Sequence, residues 1–202
     1  MEKKVSSFTL VELVMVIALV SVFLFFLVRL NVTAGDENHR IKTAVLLLTS
    51  SFDSVRGQAI ADNTYVKIFI DTSSDLKFRR LAIMKKTRNT WKTEHEIVLP
   101  ERTFILSRSD FSAYLDNADL SAYVYVEEEV ILQGESIGGY GFIFDPEGHL
   151  SNAKVAILGI GYGTKVGDDI KIKKDINICG LLITAMGSGV ILESKSAIKE
   201  AI

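Results

Sequence analysis

Residues 10–28 read LVELVMVIALVSVFLFFLV, and this run constrains the chain more than any other stretch. Its nineteen residues, at about 1.5 Å of helical rise each, span roughly 28 Å, close to the hydrocarbon thickness of a bilayer. From Leu13 to Val28 there is no charge, and Ser21 is the only polar side chain. A helix apolar on every side suits lipid or a fully buried bundle rather than a surface position. No proline occurs before Pro100, so nothing of that kind breaks a long N-terminal helix. Lys3 and Lys4 precede the run and Arg29 follows it; the two lysines favour a cytoplasmic N-terminus. A secretory signal peptide is the competing reading, with a cut after Ala34 and Val32 as the other small residue.

The exception inside the run is Glu12. A carboxylate at the bilayer centre costs roughly 2.5–3.5 kcal/mol on insertion scales, and less near an end, so such a residue calls for a partner. Glu12 stands four residues after Phe8, one helical turn away on the same face. A cut before Phe8 would create an α-amine at the mouth of the helix, able to neutralise a carboxylate on its own or an adjacent chain. Without that cut, the sequence places no cation within a turn of Glu12. The bland alternative is an ordinary membrane anchor whose Glu12 reaches the interface.

The stretch Ser7-Phe8-Thr9-Leu10-Val11-Glu12 resembles the prepilin cleavage and methylation motif of type IV pilins and type II secretion pseudopilins. Phe8, Thr9, Leu10 and Glu12 match that pattern, and Ser7 departs from it, standing where glycine is usual. The resemblance implies that a prepilin peptidase cuts between Ser7 and Phe8 and N-methylates Phe8. It also implies that Glu12 meets the Phe8 amine of a neighbouring subunit during assembly. Residues 1–7 would then be a leader, 8–30 a transmembrane and assembly helix, and 31–202 a periplasmic head.

Beyond the polar residues Gly35-Asp36-Glu37-Asn38, which read as a loosened turn, Ile41, Val45, Leu48, Phe52, Val55 and Ala59 recur at three- and four-residue steps. They predict an amphipathic helix over about 38–62, closed near Asn63. From 64 to 193 the pattern turns to strands, beginning with Tyr65-Val66-Lys67-Ile68-Phe69-Ile70. Further strands are expected at 81–85, 96–99, 103–106, 123–132, 141–144, 154–158, 169–173, 176–184 and 190–192. Asp145-Pro146-Glu147-Gly148 reads as a turn, 107–122 as a long loop or short helix, and 194–202 as a frayed helix. The expected class is α+β: a long N-terminal helix packed on an antiparallel, β-sandwich-like head.

Three places in this head are similar to the minor H pseudopilin subgroup and its fimbrial relatives. They are Ser54-Val55-Arg56-Gly57-Gln58-Ala59-Ile60, Gly141-Phe142-Ile143-Phe144-Asp145-Pro146-Glu147-Gly148, and Leu182-Ile183-Thr184-Ala185-Met186-Gly187-Ser188-Gly189-Val190. Major pseudopilins often carry a calcium loop near the C-terminus; here Asp168 and Asp169 alone make a thin case for one.

Composition argues against several other classes. A formal charge of −2 lacks the basic excess of a general nucleic-acid binder. Cys179, the single cysteine, excludes an internal disulfide, and its apolar flanks predict a buried core residue. His39, His95 and His149 are scattered without metal-ligand spacing. Gly159-Ile160-Gly161-Tyr162-Gly163-Thr164-Lys165 lacks the spacing of a phosphate loop and is read as a flexible turn between strands. Lys85, Lys86 and Arg88 beside Trp91 read as a solvated strand edge, and Glu127-Glu128-Glu129 as an exposed face.

The expectation is therefore a structural protein with no catalytic residue, metal or cofactor. It would be held in the inner membrane by one span, N-terminus cytoplasmic and head periplasmic. Its partners would be other pilin or pseudopilin subunits through the N-terminal helix, prepilin peptidase and an inner-membrane assembly platform, with no nucleic acid. A minor pseudopilin of type II secretion is the first reading. A minor type IV pilin for adhesion, motility or DNA uptake, and a single-pass anchor with a ligand-binding β domain, are the alternatives.

Overall fold

The computed structural model describes residues 37–202 apart from 124–125, 168 and 174–177. Helix α1 covers residues 37–61, so Glu37 and Asn38 are helical rather than part of a turn. Every third or fourth side chain along it, from Ile41 and Val45 through Leu48, Phe52, Val55 and Ala59, is buried, as its period requires. The helix ends as its sequence predicts. Asn63 adopts a left-handed φ of 49°, Thr64 N–H donates to Ala59 O at 3.1 Å and Asn63 N–H to Ile60 O at 3.2 Å. That crossed pair of hydrogen bonds is a Schellman closure, with asparagine taking the position glycine usually fills.

The chain then builds two antiparallel sheets. The first contains β1 (Val66–Asp71), β2 (Arg80–Thr87), β3 (Thr90–Val98), β5 (Val126–Leu132) and β6 (Glu135–Phe144), in the order β3-β2-β1-β6-β5. The second contains β4 (Thr103–Ile105), β7 (Ala156–Val166), β9 (Cys179–Ile183) and β10 (Gly189–Leu192), in the order β10-β9-β7-β4. Strand β8 (Asp169–Ile172) pairs with the far end of β7. Helix residues and both sheets contribute to one apolar cluster, including Phe52, Val66, Ile68, Phe142, Leu158 and Leu181. Phe52 sets its ring edge against Phe142 and Phe144, at centroid distances of 5.6 and 6.1 Å. The class is α+β, with the helix and two antiparallel sheets closing on a shared core.

Strand β1 is buried along its whole length, so the first sheet has apolar matter on both sides. Val66, Ile68 and Ile70 belong to the main core. Phe69, pointing the opposite way, packs with Ala82, Met84, Val130, Leu132 and Ile137 in a second cluster. A flat five-stranded sheet would leave that second face wet; this one coils. Gln133, in the β5–β6 turn, donates to Glu96 of β3 at 3.2 Å, although β5 and β3 are the two edges of the sheet. Glycine permits the close approach: a Cβ on Gly139 would stand 2.1 Å from Ile70 O and 2.5 Å from Phe69 Cζ.

The segment 159–165 is not a turn: it lies inside β7, and residues 159–163 are buried. Its glycines alternate with large residues because one face must admit other elements. A Cβ on Gly159 would meet the Phe111 ring at 2.4 Å. Phe111 belongs to α2 (Arg108–Tyr114), which is capped by Ser107 accepting from Asp110 N–H at 3.2 Å. The C-terminal tail is likewise docked rather than frayed. Helix α3 (Lys195–Ala201) buries Ile198, and Ser194 caps it. Phe111, Leu115, Ile157, Ile178 and Ile198 form a third cluster on the outer face of the second sheet.

Candidate functional site

Ser7, Phe8 and Glu12, with the apolar run 10–28, lie outside the described residues, as does Asp168. Among the described residues no helix is long and apolar enough to cross a membrane. The first described element after that run in the sequence is α1. Its solvent face carries His39, Lys42, Thr43, Ser50, Asp53 and Gly57, with Leu46 exposed among them.

Two ion pairs, one buried and one half-buried, organise the first sheet, and neither was legible as a pair in the sequence. Asp71 is fully buried and Arg80 nearly so. Arg80 Nε donates to Asp71 Oδ2 at 3.0 Å, and its Nη2 lies 2.9 Å from the same oxygen. Burial pushes the Asp71 carboxyl up. The Ser74 hydroxyl and amide, the Ser73 amide and the Arg80 charge outweigh that push and hold it below the ordinary aspartate value. The second pair departs from expectation. Glu128 does not share the exposed face of Glu127 and Glu129: its Oε2 lies 2.6 Å from Lys67 Nζ. The Lys67 side chain is only 2% exposed, and its ammonium also stands 4.3 Å from the centre of the Trp91 ring. Trp91 is therefore half-buried over the concave face rather than free on an edge. Gly141 makes the room, since a Cβ there would lie 1.8 Å from Glu128 Oε1. The sequence signal for this arrangement is Gly139-Tyr140-Gly141, two glycines on one face of a strand that runs beside an acidic one.

The remaining chemistry-bearing groups are engaged or apart. Cys179 is buried, and that burial, with Glu193 adding and Lys42 opposing, raises its thiol pKa. Among the described residues no three His, Cys, Asp or Glu side chains stand together as metal ligands. His149 hangs over Asp145, its Nδ1 3.7 Å from Oδ2, on the turn closed by Gly148 N–H donating to Asp145 O at 2.9 Å. A cleft of about 680 Å³ lies between α2 and β8, lined by Leu106, Tyr114, Asp116, Ile172, Ile178 and Lys195. Of its two carboxylates, Asp110 and Asp116, the latter accepts from Lys195 Nζ at 2.7 Å and Lys199 Nζ at 2.6 Å. Those hydrogen bonds hold its pKa down to about 2. A carboxylate so held is a weak base near neutral pH, and its two lysines are committed to it.

The fold defines an α+β head in which one amphipathic helix is held by two antiparallel sheets. No protein-family model matches the chain, and no curated protein matches it. Solved structures similar to it include the type IV minor pilin FimU of Pseudomonas aeruginosa, at 13% identity over 78% of this chain and 91% of that one, with a TM-score of 0.48. They also include the minor pseudopilin EpsH from the type 2 secretion system of Vibrio cholerae, at 12% identity over 76% of this chain and 97% of that one, with a TM-score of 0.46.

Proposed function

We propose that the chain is a structural, pilin-like filament subunit. It is cut between Ser7 and Phe8, N-methylated at Phe8, and assembled through its apolar N-terminal segment. The observation that carries this is Glu12, the lone carboxylate in an uncharged run, one helical turn after the residue that cleavage would expose. Apolar segments of neighbouring subunits pack together, and the pairing of Glu12 with a neighbour's α-amine sets register while removing two charges from lipid. Among such subunits we assign it to the minor pseudopilins of type II secretion, anchored in the inner membrane with a periplasmic head. Prepilin peptidase and the assembly platform are then its other partners, and it has no catalytic role.

The test is the mass of the mature N-terminus. A chain beginning at methylated Phe8 supports assembly; a chain that keeps residues 1–7 in a host with prepilin peptidase makes it a simple anchor. Glu12→Val should insert and then fail to enter filaments. A minor type IV pilin would share all of these features. Gene neighbourhood separates the two readings: secretin and secretion ATPase genes on one side, twitching genes on the other.

A further inference from the structure

Residues 85–92 carry four cations and no anion, whereas residues 127–135 carry four anions and no cation. The fold turns this into a polarity of the first sheet. The basic stretch forms the β2–β3 hairpin and the acidic one the β5–β6 hairpin, on opposite edges. They also project from opposite ends. Lys85 pairs with Val66 at the start of β1, so the Arg88 turn lies beyond that end. Asp71, at the other end of β1, pairs with Gly139, so the Gln133–Gly134 turn lies beyond the far end. Within one chain the outward charges of the two hairpins do not neutralise each other. Lys85 is taken by Asp62 and Glu128 by Lys67. Arg88, Lys92, Glu127 and Glu129 form no ion pair among the described residues.

We propose that the basic β2–β3 hairpin of one copy docks against the acidic β5–β6 hairpin of a second copy, in a head-to-tail contact. Arg88 and Lys92 face Glu127 and Glu129, which share one face of β5 with Ile131, across this contact. Apolar groups stand beside both sets of charges for water to leave: Ile131, 73% exposed among the carboxylates, and Tyr65, just before β1, beneath the Lys86 ammonium of the basic hairpin at 5.0 Å. A second copy is the favoured occupant because this chain itself carries both complementary halves, with equal numbers of charges. An anionic lipid or nucleic acid would meet a chain of net charge −2 that carries the acidic hairpin as well. The two surfaces differ and sit diagonally, so the contact is heterologous and does not close into a dimer; repeated, it makes a row. The inference stands apart from the assignment to a filament, since it uses the head alone and would hold for a simple anchor.

The test uses full-length chain in detergent, as mixed light and ¹⁵N-labelled copies. It reads carbodiimide cross-links between labelled and unlabelled peptides, and sedimentation over a salt series. Unmodified chain should give inter-chain links between the 85–92 and 127–135 peptides at about 50 mM salt, fading at about 500 mM as the charges are screened. Arg88→Glu/Lys92→Glu and Glu127→Lys/Glu129→Lys should each weaken self-association about tenfold. An equimolar mixture of the two variants should restore it, because each then carries the complement of the other. Circular dichroism of each variant separates lost contact from lost fold; where a reversal unfolds the chain, Arg88→Gln/Lys92→Gln replaces it, with weakened association still expected. Self-association unmoved by the variants, or unrestored in the mixture of folded variants, overturns the proposal. So does a chain that stays monomeric at low salt, or a basic hairpin that binds phosphatidylglycerol vesicles in place of a second copy.

Discussion

Lys67 Nζ lies 2.6 Å from Glu128 Oε2, joining the central strand of the first sheet to its acidic edge across a concave apolar face. Glu128→Ala strands the lysine among Phe69, Ala82 and Met84. The expected cost is about 2–3 kcal/mol, below the roughly 3–5 kcal/mol of a fully buried pair because Glu128 stays partly in water. Lys67→Met/Glu128→Leu should recover most of the loss, since apolar residues of similar volume need no partner. Urea unfolding of the three proteins measures this. A single variant indistinguishable from the parent would mean that the pair holds nothing.

Gly57 and Gly159 should respond to alanine with opposite signs. Gly57 sits on α1 with nothing within 4 Å of an added Cβ, so the helix gains backbone order and about 0.5–1 kcal/mol. Gly159 faces the Phe111 ring, 2.4 Å from where that Cβ would stand, and overpacking there should cost about 1–3 kcal/mol. Thermal unfolding midpoints should move apart accordingly; two shifts in the same direction would contradict the packing described for β7.

Asp116 makes the docking of α3 sensitive to acid. Hydrogen bonds from Lys195 and then Lys199 lower its pKa from 3.8 to about 2. A carboxyl depressed by folding contributes stability above its unfolded value and loses it as pH falls through the folded one. The amides of α3 should thus exchange faster as pH drops from 3.8 toward 2, once corrected for intrinsic rates. Asp116→Asn should abolish that increment. A carboxyl resonance titrating near 4 in the folded chain would refute the assignment.

Cys179 should be silent toward thiol reagents. It lies in the main core beside Ile160, and its burial raises the thiol pKa. Modification should proceed only as fast as the second sheet opens, and at the rate of a free thiol in denaturant. Rapid labelling of the native chain would place the residue at the surface.

The helix was the most legible part of the fold. Six apolar residues at helical spacing and an asparagine at the stop predicted both α1 and its closure, because one amphipathic period needs no knowledge of its partner. The turn at Asp145–Gly148 was readable for the same local reason, with Gly148 at a φ of 84°. The misreadings share one cause: partners distant in sequence. Gly159, Gly161 and Gly163 look like a loop when only neighbours are considered, and become strand once Phe111, Leu106 and Lys171 press against them. Glu128 looks solvated until Lys67, sixty-one residues earlier, reaches it. The tail looks frayed until Gly180 opens a seat for Ile198, whose Cγ1 would lie 2.9 Å from a Cβ there. Of the candidate site, Ser7, Phe8 and Glu12 were readable as a local motif, while the two charged hairpins acquired their opposed placement only from the sheet order.

Because α1 is gripped along its length from Ile41 to Ala59, tension arriving at its N-terminal end is not resisted one turn at a time. The helix hands directly to β1 through the Asn63 closure, and β1 lies at the centre of its sheet. A pull along the helix axis would have to slide all those contacts at once, in shear, rather than unzip an edge. The mechanical strength of the head should therefore exceed what its equilibrium stability alone would suggest.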